Sequence, residues 1–170
     1  AFYEETDISV SLQSAEESLI LLKNDGVLPL KKNIKKIALI GPHADNPRSF
    51  FGGYTHISMV EAVKAVANSI AGIGDAASNL KKEVPYIPGT QIQSDETEEF
   101  DEILKRIKPG CESIRSCMEK LLADVEIIYA HGYPVAGNDK SGYEEALSAI
   151  READICIMTL GGKNGSCSVA

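Results

Sequence analysis

The positions of hydrophobic residues along the chain predict several amphipathic helices. Between residues 7 and 24, Ile8, Leu12 and Leu19 recur at the spacing of one helix face. A second helix is predicted over residues 58–71, with Ser58 as its N-cap. The same spacing predicts further helices over residues 99–107, 110–123 and 142–152, the last of them capped by Ser141. These helices separate short runs of a different kind.

Three short runs are almost continuously apolar and predict strands: KIALI at 36–40, VEIIYAHG at 125–132 and DICIMTL at 154–160. Such runs are typical of strands covered on both faces, as in a parallel sheet. Because strands alternate with helices, the sequence predicts an α/β fold whose mostly parallel sheet carries helices on both faces. We expect the third strand to be central. The centre of the core is predicted to be Ile37, Leu39, Ile127, Ile155 and Ile157.

Charge and composition exclude two classes of partner. The chain has 170 residues and a net charge of −8. A nucleic-acid backbone is bound by clustered Lys and Arg, so we expect no nucleic-acid partner. No apolar run approaches the roughly 20 residues of a membrane-spanning helix, so we expect no membrane partner.

The cysteines and glycines do not indicate a cofactor or a metal. None of the four cysteines forms a CxxC pair, which favours reduced thiols and a cytoplasmic rather than a secreted protein. The GGKNG sequence at 161–165 differs from the order of a phosphate-binding loop, and no metal-ligand spacing is present. We therefore expect no cofactor and no metal site.

Candidate ligand-binding residues follow the first and third predicted strands. His43 and Asp45 come after the first, and Lys163 and Asn164 after the third. Ligands bind at the carboxyl ends of the strands in an open parallel sheet, so these side chains are predicted to line one rim and to bind a polyol. The alternatives are turn formation for His43 and Asp45 and an exposed side chain for Lys163. No nucleophilic triad or obvious pair of catalytic carboxylates appears, so no catalytic residue is predicted.

Three segments resemble the second domain of family 3 glycoside hydrolases, the β-glucosidase and β-xylosidase type. SAEESLILLKNDGVLPLKK at 14–32 and KKIALIGPHADNPRSFFGGYTH at 35–56 resemble the beginning of that domain. YAHGYPVAGNDKSGYEEALSAIREADICIMTLGGKNG at 129–165 resembles its later part. The resemblance implies an α/β sandwich domain over residues 1–170, in which residues 1–34 are a leading helix and linker.

The resemblance also implies a function that is shared between domains. In this family a TIM-type barrel supplies the Asp nucleophile, and the second domain supplies an acid/base Glu that would lie after Ala170 here. We therefore expect this chain to contribute substrate-binding loops for a β-linked glycoside, with a barrel domain as partner, and to be inactive by itself. The alternative is a stand-alone, non-catalytic ligand-binding or interaction module, with a second copy of the chain as a further candidate partner. The sequence does not decide whether the substrate is a glucoside or a xyloside.

Overall fold

The computed structural model describes residues 5–52, 54–60, 87, 89–90 and 98–162. The chain divides into two compact units, Ala1–Asn33 and Ile34–Ala170. None of the helices among the described residues is both long and apolar enough to span a membrane.

The first unit contains helix α1, Glu5–Glu17, followed by irregular chain. The predicted helix over 7–24 is therefore too long. At its end, Ser18 donates its hydroxyl to the Ala15 carbonyl (2.7 Å), a local bond that competes with continued helix. Leu19 and Leu22 lie beyond the helix and are exposed, so their helical spacing does not mark a packed face.

The described part of the second unit is built on a parallel three-stranded sheet in the order β2–β1–β3. Strand β1 is Lys36–Ile40, β2 is Glu126–Ala130 and β3 is Ile155–Met158. In register, Leu39 of β1 lies between Tyr129 of β2 and Ile157 of β3. All three strands were predicted within two residues of their observed ends.

Helices lie on both faces of this sheet, as predicted. Helix α4, Tyr143–Glu152, packs on β1 and β2, where Ala146 and Ala149 meet Ala38 and Ile40. Since alternate residues of a strand face opposite sides, Leu39 and its neighbour Tyr129 point to the other face. Helix α3, Ile114–Leu121, packs on β2 and covers this side. Helix α2 is Glu98–Ile107.

The position of β3 differs from the prediction. Among the described residues β3 pairs only with β1 and forms an edge, whereas β1 is the central strand. Ile37 and Leu39 are fully buried, but Ile127, Ile155 and Ile157 are only half-buried. Cys156 and Met158 are exposed. Within the described residues the core is thus centred on β1, because an apolar run records which residues are hydrophobic, not how many neighbouring strands the run has.

The predicted helix caps were also wrong in two places. Residues 56–60 are helical, so Ser58 lies inside the helix and Thr55 precedes its first turn, accepting a long bond from the Ser58 amide (3.5 Å). Gly142 precedes α4, while Ser141 bonds to Asp139 instead. The rest of the helix predicted over 58–71 lies outside the described residues.

At the amino ends of the strands, Asp154 joins β3 to β1. One of its carboxylate oxygens accepts hydrogen bonds from the backbone amides of Lys35 (2.8 Å) and Lys36 (3.0 Å). These two bonds lower the pKa of Asp154, because they stabilise its charged form. This contact fixes one end of the strand pair, opposite the end where the predicted ligand loops lie.

Candidate functional site

The carboxyl ends of β1 and β3 bring two segments of the chain together. After β1 the chain forms two short 3₁₀ helices, Pro42–Ala44 and Pro47–Phe50. After β3, Thr159 continues the pairing, since its amide donates to the carbonyl of Ile40 (2.8 Å). The segments after β1 and β3 therefore meet at the carboxyl-terminal ends of the strands, as predicted.

Gly41 makes this close approach possible. Its φ of 120° lies in a region that favours glycine. A Cβ at this position would lie 2.5 Å from the backbone oxygen of Thr159 and 2.7 Å from the hydroxyl of Tyr133. Tyr133 in turn donates its hydroxyl to the Thr159 carbonyl. Gly41 thus allows the ends of β1 and β3 to lie against each other.

A cleft of about 410 Å³ opens at this edge. Its volume falls within the range of about 300–1,000 Å³ that is common for small-molecule sites. The chain after β1, residues 41–51, is called the post-β1 segment and contributes one wall. The residues after β3 and the start of α3 contribute the other. The lining residues are His43, Ser49, Phe50, Ile114, Thr159, Leu160, Gly161 and Gly162.

His43 contributes its imidazole ring to the lining of this cleft. Its Nε2 atom is buried and has no hydrogen-bond partner among the residues that the structure describes. The ring lies directly against Gly161, where an added Cβ would be 2.8 Å from Nε2. A buried polar atom without a partner is costly, and a ligand hydroxyl would relieve that cost. His43 therefore brings a nitrogen with an unused hydrogen-bonding capacity to the wall of the cleft.

Asp45 connects the post-β1 segment to helix α3. Its carboxylate accepts a hydrogen bond from Ser113 (2.9 Å) and forms an ion pair with Arg115 (3.0 Å). Arg115 also pairs with Glu119 and lies 4.9 Å above the ring of Tyr129. The hydrogen bonds that Arg115 donates to Glu119 and to Asp45 raise the pKa of Arg115, because they stabilise its charged form. Asp45 therefore bonds to distant side chains, not to its own turn.

The far end of the post-β1 segment packs against α2. Asn46 caps the second 3₁₀ helix by accepting from the amide of Arg48 (2.9 Å). Arg48 is buried, and its guanidinium lies 5.2 Å from the ring centroid of Phe100. The ring of Phe51 lies 6.0 Å from the same ring. Helices α2 and α3 thus hold the two halves of this segment in place.

Comparison with known families identifies the domain. Residues 19–168 match the glycosyl hydrolase family 3 C-terminal domain. This chain belongs to that family. The match includes all three strands of the sheet and the whole described lining of the cleft.

Two similar proteins of this glycosyl hydrolase family are xylosidases by name. The chain is 35% identical over 92 residues to a xylan 1,4-beta-xylosidase of Xylanibacter ruminicola, covering 54% of this chain and 10% of that protein. It is 37% identical over 95 residues to a probable exo-1,4-beta-xylosidase of Aspergillus terreus, covering 56% of this chain and 11% of that protein. The chain spans about a tenth of the length of these relatives.

A solved structure has the same fold. It is a GH3 exo-beta-xylosidase (XlnD) in complex with a xylobiose aziridine activity-based probe. The TM-score is 0.54 at 24% identity, and the match covers 94% of this chain and 14% of that one. This likeness shows the α/β fold of the family.

Four residues were predicted to bind a ligand, and the structure describes two of them, His43 and Asp45. His43 lines the cleft, whereas Asp45 is bound to α3. Lys163 and Asn164 lie outside the described residues. No group of three side chains in the part that the structure describes is arranged to hold a metal ion.

Sequence patterns did not indicate Phe50 and Thr159 as site residues. Both line the cleft. Thr159 directly follows β3, and Phe50 lies in the segment that follows β1. This position was an available signal, because ligands bind at the carboxyl ends of the strands in a parallel sheet. Arg115 and Ser113 had no such signal, since their contact with Asp45 spans about 70 residues of sequence.

Proposed function

We propose that this domain forms part of the substrate site of a family 3 glycosidase that hydrolyses β-xylosides. One observation carries the proposal: at the carboxyl ends of its strands the matched domain has a cleft lined by His43, whose buried imidazole nitrogen has no hydrogen-bond partner in the described part of the chain. Polar groups of this kind fix the orientation of a small ligand in an otherwise apolar pocket.

A xyloside is favoured over a glucoside because the relatives described above are named xylosidases. At 35% and 37% identity over about half of the chain, these relatives support the choice of sugar without deciding it. Direct comparison of the two sugars on otherwise identical substrates is therefore part of the test.

The predicted residues have different roles in this proposal. Nε2 of His43 bonds to a sugar hydroxyl, as do the side chains of Lys163 and Asn164. Asp45 holds the post-β1 segment through Ser113 and Arg115. A carboxylate oxygen can accept more than one hydrogen bond, so Asp45 also has lone pairs for a sugar hydroxyl.

The chemistry itself is assigned to other parts of the active site. Glycoside hydrolysis uses two carboxyl groups, one as nucleophile or base and one as acid. None of the described residues lining the cleft is Asp or Glu. The nucleophile is proposed to come from a barrel domain and the acid/base from a Glu beyond residue 170, as the family resemblance implies. This domain binds and orients the substrate.

The experiment compares two polypeptides with 4-nitrophenyl β-D-xyloside. A polypeptide of residues 1–170 should release no nitrophenol above the buffer rate. The same residues joined to a barrel domain of this family and to a downstream segment with the acid/base Glu should release it. The joined protein should cleave the xyloside faster than the matched glucoside.

A His43→Ala variant of the joined protein supplies the control for the role of this domain. We expect its KM to rise by about 10-fold, the effect of losing one buried hydrogen bond of roughly 1.5 kcal/mol. An unchanged KM and kcat would remove the cleft from the substrate site. Turnover by residues 1–170 alone, surviving repurification, would instead show a catalytic centre inside this chain. Binding of xylosides without turnover by the joined protein would favour the alternative, a non-catalytic binding module.

A further inference from the structure

A single carboxylate joins the two walls of the cleft. Asp45 directly follows the 3₁₀ helix that contains His43, which lines the wall formed by the post-β1 segment. The two side chains that bond to this carboxylate, Ser113 and Arg115, come from the start of α3. They flank Ile114, which lines the other wall. The carboxylate of Asp45 therefore connects one wall to the stretch of chain that carries the other.

Ser113 makes the first of these bonds and also caps α3. Ser113 is buried, and its hydroxyl accepts a hydrogen bond from the amide of Ser116 (3.1 Å) and donates to Asp45 (2.9 Å). Loss of an N-cap destabilises a helix by itself. A change at Ser113 would therefore disturb α3 together with the cleft, so the bond from Arg115 is the one that can be tested alone.

Arg115 contacts side chains from three parts of the fold. Its Nη1 atom pairs with Asp45 (3.0 Å), and its Nε atom pairs with Glu119 one turn further along α3 (2.9 Å). The guanidinium also lies 4.9 Å from the centroid of the Tyr129 ring in β2. These contacts hold the planar guanidinium in one orientation. The post-β1 segment is thereby tied, through Asp45, to a helix and a strand.

Arg115 acts on the cleft only indirectly. The described residues that line the cleft do not include it. The side chains of Arg115 and Asp45 are each 37% exposed, and an ion pair of this exposure contributes little to folding. A ligand that binds one spacing of the two walls nevertheless depends on the fraction of molecules that have this spacing. A contact that is weak for stability can therefore control affinity.

We propose, on the basis of the proposed function, that Arg115 is a positioning residue of the xyloside site. By holding Asp45, Arg115 fixes the spacing between His43 on one wall and Ile114 on the other. The affinity for a xyloside then depends on a side chain that does not touch the sugar.

The test uses the labelled chain of residues 1–170, amide NMR and xylobiose as the ligand. Arg115→Gln removes the charge and the branched donor group but keeps a long polar side chain. Before xylobiose is added, the amide signals of residues 43–46 should move in this variant. Its Kd for xylobiose should rise about 2- to 5-fold, the effect of losing one partly exposed ion pair. Its midpoint of urea unfolding should stay close to that of the original chain.

Two further measurements separate positioning from a merely structural role. Raised ionic strength should weaken xylobiose binding by the original chain more than binding by Arg115→Gln, because salt screens an exposed ion pair. Arg115→Lys keeps the charge and should restore part of the affinity. Arg151→Gln is the matched control, since Arg151 is an exposed arginine in the last turn of α4 and its replacement changes the net charge equally.

Asp45→Asn removes the charge from the other partner of the ion pair. If the two side chains act as one contact, Asp45→Asn combined with Arg115→Gln should raise the Kd no more than either change alone. A larger, additive rise would assign Asp45 directly to the sugar and overturn the proposal. If circular dichroism shows that Arg115→Gln is unfolded, Asp45→Asn replaces it in the comparison and should give the same rise.

The remaining outcomes distinguish this proposal from the proposed function. Unchanged amide signals at residues 43–46 in Arg115→Gln would refute the positioning role, whatever the chain binds. Moved signals with an unchanged Kd, or an equal rise of the Kd in Arg151→Gln, would refute the effect on affinity and leave the proposed function standing. If no form of the chain binds xylobiose, the proposed function is refuted, and moved signals would then leave Arg115 with a structural role alone.

Discussion

Leu39→Ala is expected to lower the free energy of unfolding by about 2–5 kcal/mol, the usual cost of removing a large buried aliphatic side chain. Leu39 is 0% exposed and lies in the central strand, between Tyr129 and Ile157. The loss combines the transfer energy of the removed methyl and methylene groups with the cavity that they leave. A domain is stable by only about 5–15 kcal/mol, so the variant should unfold at a clearly lower urea concentration.

Ile157→Ala is the matched control for Leu39→Ala. The two residues are paired across β1 and β3 and face the same side of the sheet. Ile157 is only half-buried, so its truncation should cost about 1–2 kcal/mol, less than that of a fully buried residue. Equal losses for the two variants would mean that β3 is as enclosed as β1, contrary to its position at the edge of the described sheet.

Gly41→Ala is expected to cost about 3 kcal/mol or more, since positive φ strain and overpacking each cost roughly 1–3 kcal/mol. The φ of 120° is unfavourable for alanine, and the new Cβ would lie 2.5 Å from the backbone oxygen of Thr159. That oxygen belongs to the segment paired with β1, so it cannot move without separating the two strand ends. Urea unfolding measures the loss, and weaker xyloside binding should accompany it because Thr159 lines the cleft.

Gly52→Ala separates this clash from a general effect of replacing glycine. Gly52 lies in the same stretch of chain, and, its chain neighbours aside, no atom of the described residues lies within 4 Å of the position that its Cβ would take. Its free energy of unfolding should stay within about 1 kcal/mol of the original value. If Gly41→Ala were equally mild, the close contact between the ends of β1 and β3 would not exist in solution.

The regular strands were predictable because their signal is local. KIALI forms β1 over the predicted five residues, and its burial on both faces follows from its continuous apolar run. The position of β3 at the edge was not predictable, since its composition is equally apolar but its burial depends on neighbouring strands. The predicted helix N-caps were wrong for a similar reason. Whether Thr55 or Ser58 precedes a helix depends on where the chain turns after Gly52, which hydrophobic spacing does not record.

The position of the candidate site in the fold was easier to predict than the side chains that line it. The rule that ligands bind at the carboxyl ends of parallel strands led to the part of the fold where a cleft lies and where His43 lines it. The same rule did not distinguish a side chain facing a cleft from one bonded elsewhere. Asp45 resembles a ligand or a turn residue in sequence, yet its partners Ser113 and Arg115 come from a distant helix. Contacts between residues far apart in sequence are what the linear pattern leaves out.

The central claim is that a xylo-sugar binds at the carboxyl edge of the sheet, and amide NMR of the labelled chain titrated with xylobiose tests it most directly. The account predicts shifts for amides within residues 43–50 and 159–162, which surround the cleft. It predicts no shifts for Lys35, Lys36 and Ile155, which lie at the opposite edge. Shifts confined to that opposite edge, or no shifts at any xylobiose concentration, would contradict the account.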